Sequence, residues 1–140
     1  MSSSEKPERY RQGMATRRAV LGDAHVDRSE KNRTEFDEPF IDLITEAAWG
    51  HVWSRPNLTR RERSMITLAI LAGLGREDEL VLHARATANT GATEEDVREV
   101  LMHVAIYAGV PAANTAFRIV KQVFAEMKAN GSATAEMGES

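Results

Sequence analysis

Ten consecutive residues, Met65–Leu74 (MITLAILAGL), carry no charge and, wound as a helix, are apolar on nearly every side. Such a helix is stable in water only when other elements cover it all round. The residues just ahead of it signal a helix start. Thr59 stands three positions before Glu62, so hydroxyl and carboxylate can each take the other's backbone N–H in a capping box. The spacing predicts a central helix whose most enclosed part is Met65–Leu74, and the rest of the chain must supply its cover.

That cover is helical as well. Pro7 suits a first helical position, and a helix is expected to about Leu21, ended by Gly22; Arg17 and Arg18 fall in its last turn, where the macrodipole favours cations. A short helix is expected near Asp27–Thr34. From Pro39 onward Phe40, Leu43, Ile44, Ala47 and Ala48 recur at helical spacing, and Gly50 permits a break or a close backbone approach. Ser54–Leu58 (SRPNL) reads as a turn. Residues 76–91 read as a four-turn helix closed by Gly91, with Leu80, Ala84 and Ala88 as its core stripe. Thr93 and Asp96 cap the next helix, which turns Val97, Val100, Leu101, Val104, Ala105 and Ala108 inward. Pro111 opens the last, with Phe117, Val120, Phe124 and Met127 inward. Strand-like alternation is scarce. The expected fold class is all-α, a single-domain bundle of about six helices over residues 7–128, with a flexible lead (1–6) and a disordered tail (129–140).

Composition removes several classes of function. A net charge of −3 gives no general attraction to nucleic acid or an anionic membrane. No apolar run reaches the length of a membrane span, and MSSSEKPERY lacks the apolar core of a signal peptide. The sequence contains no cysteine, which excludes disulfides, thiolate metal sites and thiol redox chemistry and makes a cytoplasmic location the expectation. There is no HExxH, no phosphate-binding glycine loop and no nucleophile elbow, and the four histidines are scattered singly, so no metal is expected.

Three groups of residues remain as candidates. His83 stands at the edge of the 76–91 stripe with Glu79 one turn before it, close enough for a carboxylate to fix the imidazole tautomer. It is either a core-edge histidine with a satisfied hydrogen bond or a group that moves a proton near neutral pH. Arg60, Arg61 and Arg63 crowd the first turn of the central helix, where its dipole disfavours cations, and Arg55 lies just upstream. They form either a solvated basic turn or an anion pocket in which guanidinium groups join helix N-terminal N–H groups. Trp49 and Trp53, one turn apart, are core packing or the flat wall of a pocket, and His103 and Tyr107 are a helix flank or a pocket lining.

The segments AWGHVWSRPNLTRRERS, ELVLHARATANTGAT and YAGVPAANTAF together resemble the 4-carboxymuconolactone decarboxylases, a branch of the small α-helical proteins that include the alkylhydroperoxidase D proteins. The similarity runs from about Tyr10 to Met127. RPxLxxRxRS and GVPAAN are the segments most specific to the decarboxylase branch. In the peroxidase branch a CxxC pair precedes the histidine equivalent to His83; Arg76 and Glu79 hold those positions here, which excludes that activity. His103 and Ala108 depart from the decarboxylase pattern, where glutamine and cysteine are frequent.

The resemblance implies cofactor-free conversion of 4-carboxymuconolactone, a lactone dicarboxylate, to 3-oxoadipate enol-lactone in the protocatechuate branch of aromatic breakdown. It also implies a homo-oligomer, commonly a hexamer. In that reading Arg63, with Arg61 or Arg55, anchors the acetate carboxylate, and His83 protonates the ring carbon, oriented by Glu79. Trp49 or Trp53 walls the departing carboxylate, and His103 and Tyr107 line the pocket. Arg85, about 200° round the helix from His83, either joins a site between subunits or forms an interface salt bridge. Another cofactor-free enzyme acting on a different lactone or β-keto acid, and a non-catalytic oligomeric anion-binding protein, are the rival readings.

Overall fold

Pro7 caps helix α1 (Glu8–Leu21), and Gly22, at φ 91°, turns the chain directly into α2 (Asp23–Asn32). These helices belong to the computed structural model, which describes residues 6–139, with side chains as far as residue 131. α2 thus begins four residues earlier than its sequence pattern predicts. The sharp turn at Gly22 leaves no linker, and Asp23 in the first turn suits the helix dipole. The flexible lead expected at 1–6 lies outside the described residues except for Lys6. Every regular element among the described residues is helical, and the chain divides into two units, Met1–Arg63 and Ser64–Ser140.

In the first unit α3 (Glu38–Ile44) runs into a nine-residue π-helical segment, Thr45–Trp53. The uniform α-helical repeat expected from Pro39 is therefore not followed. Phe40, Leu43 and Ala47 face solvent, whereas Thr45, Trp49 and Gly50 are buried. The cause is the crossing of α1 over the π segment. A Cβ on Gly13 would lie 2.1 Å from the Thr45 carbonyl oxygen and 2.9 Å from the Gly50 nitrogen, and one on Gly50 would lie 2.6 Å from the Arg9 carbonyl oxygen. Two bare backbones touch there, and nothing larger than glycine fits. The Thr16 and Ser54 hydroxyls join at 2.7 Å beside the crossing, and Ser54 Oγ donates to the Trp49 carbonyl at 2.6 Å.

A polar network ties α2 and α3 to α1. Buried Arg17 donates to Glu30 (3.1 Å) and Ser29 (2.9 Å). Arg33 donates to Glu30 (2.9 Å), Asp42 (2.7 Å) and the Tyr10 hydroxyl (3.3 Å), and Lys6 donates to Asp42 (3.1 Å). Burial disfavours the Asp42 carboxylate, but the hydrogen bonds from Arg33 and Lys6 outweigh it and hold the carboxyl below its usual range.

The second unit contains most of α4 (Arg60–Leu74), then α5 (Glu77–Thr90), α6 (Glu94–Tyr107) and α7 (Val110–Glu139). Both expected capping boxes form. Thr59 N donates to Glu62 at 2.9 Å and Glu62 N to the Thr59 hydroxyl at 3.1 Å; Thr93 and Asp96 make the same pair at 2.9 and 3.0 Å. Gly91, at φ 87°, ends α5 in the left-handed conformation. Leu68, Leu80, Val97, Leu101 and Val120 centre the core. α7 continues as helix through residues 129–139, where the composition predicts none.

Met65–Leu74 is less enclosed than predicted. Ser64, Leu68 and Ala72 are buried, but Ile66, Ile70 and Leu74 are 47%, 54% and 64% exposed. These three lie four residues apart, so they form one stripe, and no element of the second unit covers it. Phe117 and Ala108 are likewise exposed rather than inward.

Gly13→Ala is expected to destabilise the first unit by about 3 kcal/mol, the upper end for overpacking, because the clashing atom is backbone and cannot rotate away. Both tryptophans of the chain lie in the π segment, so thermal unfolding followed by their fluorescence reads this directly; an unchanged midpoint would contradict the crossing.

Candidate active site

α5 buries the face that carries His83. Leu80, Ala84 and Thr87 are all enclosed, the Thr87 hydroxyl donates to the Ala84 carbonyl at 2.7 Å, and His83 itself is only 7% exposed. Ala88, expected in the core stripe, is exposed. On an ideal helix the residue eight positions after Leu80 has rotated about 80° away, while the residue seven after it lies within about 20°. Thr87 therefore takes the inner place, and because Ala86 and Thr90 are buried on the far side of His83, the buried face extends past His83 rather than ending at it.

Glu79 does not lock the imidazole. Its Oε2 lies 3.9 Å from His83 Nε2, and the carboxylate is 60% exposed. That distance is beyond hydrogen-bond reach, so Glu79 acts on a protonated His83 as a loose charge and does not fix its tautomer. Arg85, on the opposite side of α5, pairs with Glu126 of α7 in the same chain rather than across an interface. A hydrogen bond from Gln122, then the one from Arg85, holds the Glu126 carboxyl below its ordinary value.

His103 and Tyr107 stack at 4.9 Å between centroids and 26° between planes. They line a groove of about 530 Å³ between α4 and α6, with Met65, Ile66, Ile70 and Val100 among its other walls.

In the first unit, Arg63 Nη2 donates to the Arg55 carbonyl at 3.2 Å, so the half-buried Arg63 folds back over the preceding turn. Arg61 is exposed and sits two residues away, about 200° round the helix, so the two guanidinium groups leave α4 on different sides. Hydrogen bonds from the Thr59 backbone and hydroxyl lower the Glu62 pKa, and the nearby charges of Arg61 and Arg63 add to this. The capping carboxylate thus offsets part of the cationic charge crowded at the start of α4. Trp49 is buried and stacks on Trp53 at 5.1 Å and 29°.

Sequence patterns alone do not single out Ser64. Its hydroxyl is fully buried and has no hydrogen-bond partner among the described residues. That is costly for a polar atom and unusual outside functional sites. The available signal is its position as the last residue of RPxLxxRxRS.

The model of the Carboxymuconolactone decarboxylase family matches residues 38–122, a span that contains every candidate residue above. The chain belongs to that family. It is 46% identical over 120 residues to a 4-carboxymuconolactone decarboxylase of Acinetobacter baylyi, an alignment covering 86% of this chain and 90% of that protein. It is 38% identical over 122 residues to a nitrosuccinic acid decarboxylase of Metarhizium robertsii, covering 87% and 85% respectively. A 4-carboxymuconolactone decarboxylase sequence from Pseudomonas putida is 48% identical over 46 residues, 33% of this chain and 96% of that sequence.

Because Glu79 is exposed and not hydrogen-bonded to His83, Glu79→Gln is expected to change kcat by less than about fivefold, the span of a weak surface pair. A fall of a hundredfold in steady-state assays would show that the carboxylate closes on the imidazole during turnover.

Proposed function

We propose that the protein decarboxylates 4-carboxymuconolactone to 3-oxoadipate enol-lactone without a cofactor, in cytoplasmic catabolism of protocatechuate. The observation that carries this reading is the 46% identity over 120 residues, most of both chains, to a decarboxylase named for that substrate. The substrate makes a cofactor unnecessary. Its leaving carboxylate sits on a ring carbon conjugated through a C=C bond to the lactone carbonyl. As CO2 departs, the electron pair moves onto the carbonyl oxygen and leaves a furan-like dienolate, and a proton then adds to the carbon alpha to the carbonyl. The electron sink is in the substrate.

Three tasks are left for the protein. Arg63, with Arg55 near it in the chain, anchors the acetate carboxylate; Arg61 leaves the helix on another side and is the weaker choice. His83 delivers the proton, and its burial supports that role because it limits exchange with water. The departing carboxylate meets apolar surface such as the Trp49–Trp53 pair, since an arginine there would stabilise the ground state and slow CO2 loss. His103 and Tyr107 shape substrate preference in this reading.

Self-association is part of the same proposal. Ile66, Ile70 and Leu74 of α4 and Met102, Ile106 and Tyr107 of α6 are all exposed, an apolar surface of the kind that marks protein contacts. A second reading, decarboxylation of a different activated acid, is favoured by the 38% identity to a nitrosuccinic acid decarboxylase; turnover of a panel of lactones and nitro acids separates the two.

His83→Gln is expected to lower kcat by roughly 10²–10⁴, the usual share of general acid–base catalysis, with KM little changed. Arg63→Ala is expected to raise KM, costing roughly 2–5 kcal/mol, and Arg63→Lys to recover only part of it. The loss of ultraviolet absorbance of the conjugated lactone measures both. Near-normal kcat in His83→Gln, or unchanged KM in Arg63→Ala, would remove the corresponding role.

A further inference from the structure

The Ser64 hydroxyl differs from the other buried hydroxyls of the chain. Among the described residues each buried threonine has a hydrogen bond. Thr16 and Ser54 join at 2.7 Å, Thr45 and Thr87 donate to the Ile41 and Ala84 carbonyls about one turn earlier, both at 2.7 Å, and Thr90 accepts from the Ala92 N–H at 3.5 Å. Ser64 is fully buried and its hydroxyl has no such bond. It does not bond back to the Arg60 carbonyl one turn earlier, the usual resort of a helix serine. An alanine there would give up no hydrogen bond and would suit the helix better. Packing alone therefore gives no reason for a hydroxyl at this place.

Helix packing puts this hydroxyl near His83. Ser64, Leu68 and Ala72 are the buried residues of α4, four apart and so on one side of the helix. Leu68 and Ala72 share the core cluster with Leu80 and Ala84 of α5, and His83 is next to Ala84. Only Gly75 and Arg76 separate α4 from α5. Counted from that turn, Ser64 lies roughly 15 Å back along α4 and His83 roughly 9 Å on along α5, a difference of about one helical turn. A small ring held between two neighbouring helices spans that difference.

We propose that the Ser64 hydroxyl donates a hydrogen bond to the lactone carbonyl oxygen as the dienolate forms. This rests on the decarboxylase reading above and supplies the donor that reading leaves unassigned. As the bond to CO2 breaks, its electron pair moves through the C=C bond onto the carbonyl oxygen. Ser64 keeps its proton, and the carbon alpha to the carbonyl takes one from His83. That carbon and the oxygen are joined through a single carbon, so donor and proton source must stand close together, as the packing of α4 on α5 allows. Charge favours this oxygen over a carboxylate. A carboxylate is charged on arrival, so a hydroxyl bonded to it would stabilise the ground state as well. The lactone oxygen becomes charged only as CO2 leaves, and a neutral donor away from water then acts mainly in the transition state. Ser64 is fully enclosed and His83 nearly so, so the side chains over them move aside before substrate touches either.

Ser64→Ala, compared with wild type in thermal unfolding without ligand and in steady-state turnover of the lactone, tests this. The unfolding midpoint is expected to stay or rise, since the free protein loses no hydrogen bond. At the same time kcat is expected to fall roughly 10²–10³-fold, the loss typical of one oxyanion donor, with KM changed less than about threefold. Ser64→Cys, similar in size and a weaker donor, is expected to fall between the two. Product made by Ser64→Ala in D2O is expected to keep deuterium on one face, because His83 is intact. A kcat within about threefold of wild type, or a raised KM at unchanged kcat, would overturn the proposal. Labelling on both faces would overturn it too, since the hydroxyl would then act by holding His83. So would a lowered midpoint or a failure to fold, which would show that the hydroxyl is already bonded in the free protein. A wild type that does not turn over the lactone would overturn the decarboxylase reading and this assignment with it, whereas an active wild type matched by Ser64→Ala would overturn the assignment alone.

Discussion

Where His83 sits is settled by the packing of α5 into the core of the second unit. Leu80 and Ala84 join Val97 and Leu101 of α6 and Ala113, Ala116 and Val120 of α7 in one buried cluster. The small side chains let helices approach closely, and burying the larger ones contributes about 1.5–3 kcal/mol each. His83 is three residues from Leu80 and next to Ala84, so it cannot leave this face without unpacking them. A histidine held this way has a fixed position and little water around it. Both properties suit a proton donor to a carbon, a slow acceptor that must be met at one place and on one side.

The proposed substrate shares the work. Its own conjugated lactone takes the electrons of the breaking C–C bond, which leaves the protein to hold one carboxylate, leave the other unpaired, and supply a proton. That division makes sense of a chain with few special features. The concentration of Arg55, Arg61 and Arg63 around one turn is an expense in helix stability, moderated by the Glu62 capping box. In the proposed reading, the carboxylate they anchor is what offsets that cost.

Much of this was legible in the residues. The two Thr capping boxes, Gly22 and Gly91 as stops, and the inward residues Leu80, Ala84, Val97, Leu101 and Val120 follow from local chemistry that the sequence displays. The π segment does not. It packs against Gly13 through Thr45 and Gly50, a contact between residues far apart in the chain, and periodicity within a short window carries no sign of it. The exposed side of Met65–Leu74 was hidden for another reason, since apolar character shows that a surface wants cover but not which molecule provides it. For the candidate site, RPxLxxRxRS and the segment around His83 were readable as family features. The separation of Glu79 from His83 depends on rotamers that appear only in three dimensions, whereas that of Arg61 from Arg63 already follows from their two-residue spacing.

The most direct test of the central claim, that His83 delivers the proton, is the stereochemistry of the product formed in D2O. Magnetic resonance of enol-lactone made by the wild type should show deuterium on one face of the carbon alpha to the lactone carbonyl. Product from His83→Gln should carry it on both faces, because the dienolate is then protonated from solvent. Single-face labelling at a near-normal rate in His83→Gln would contradict the account and assign the proton to another group.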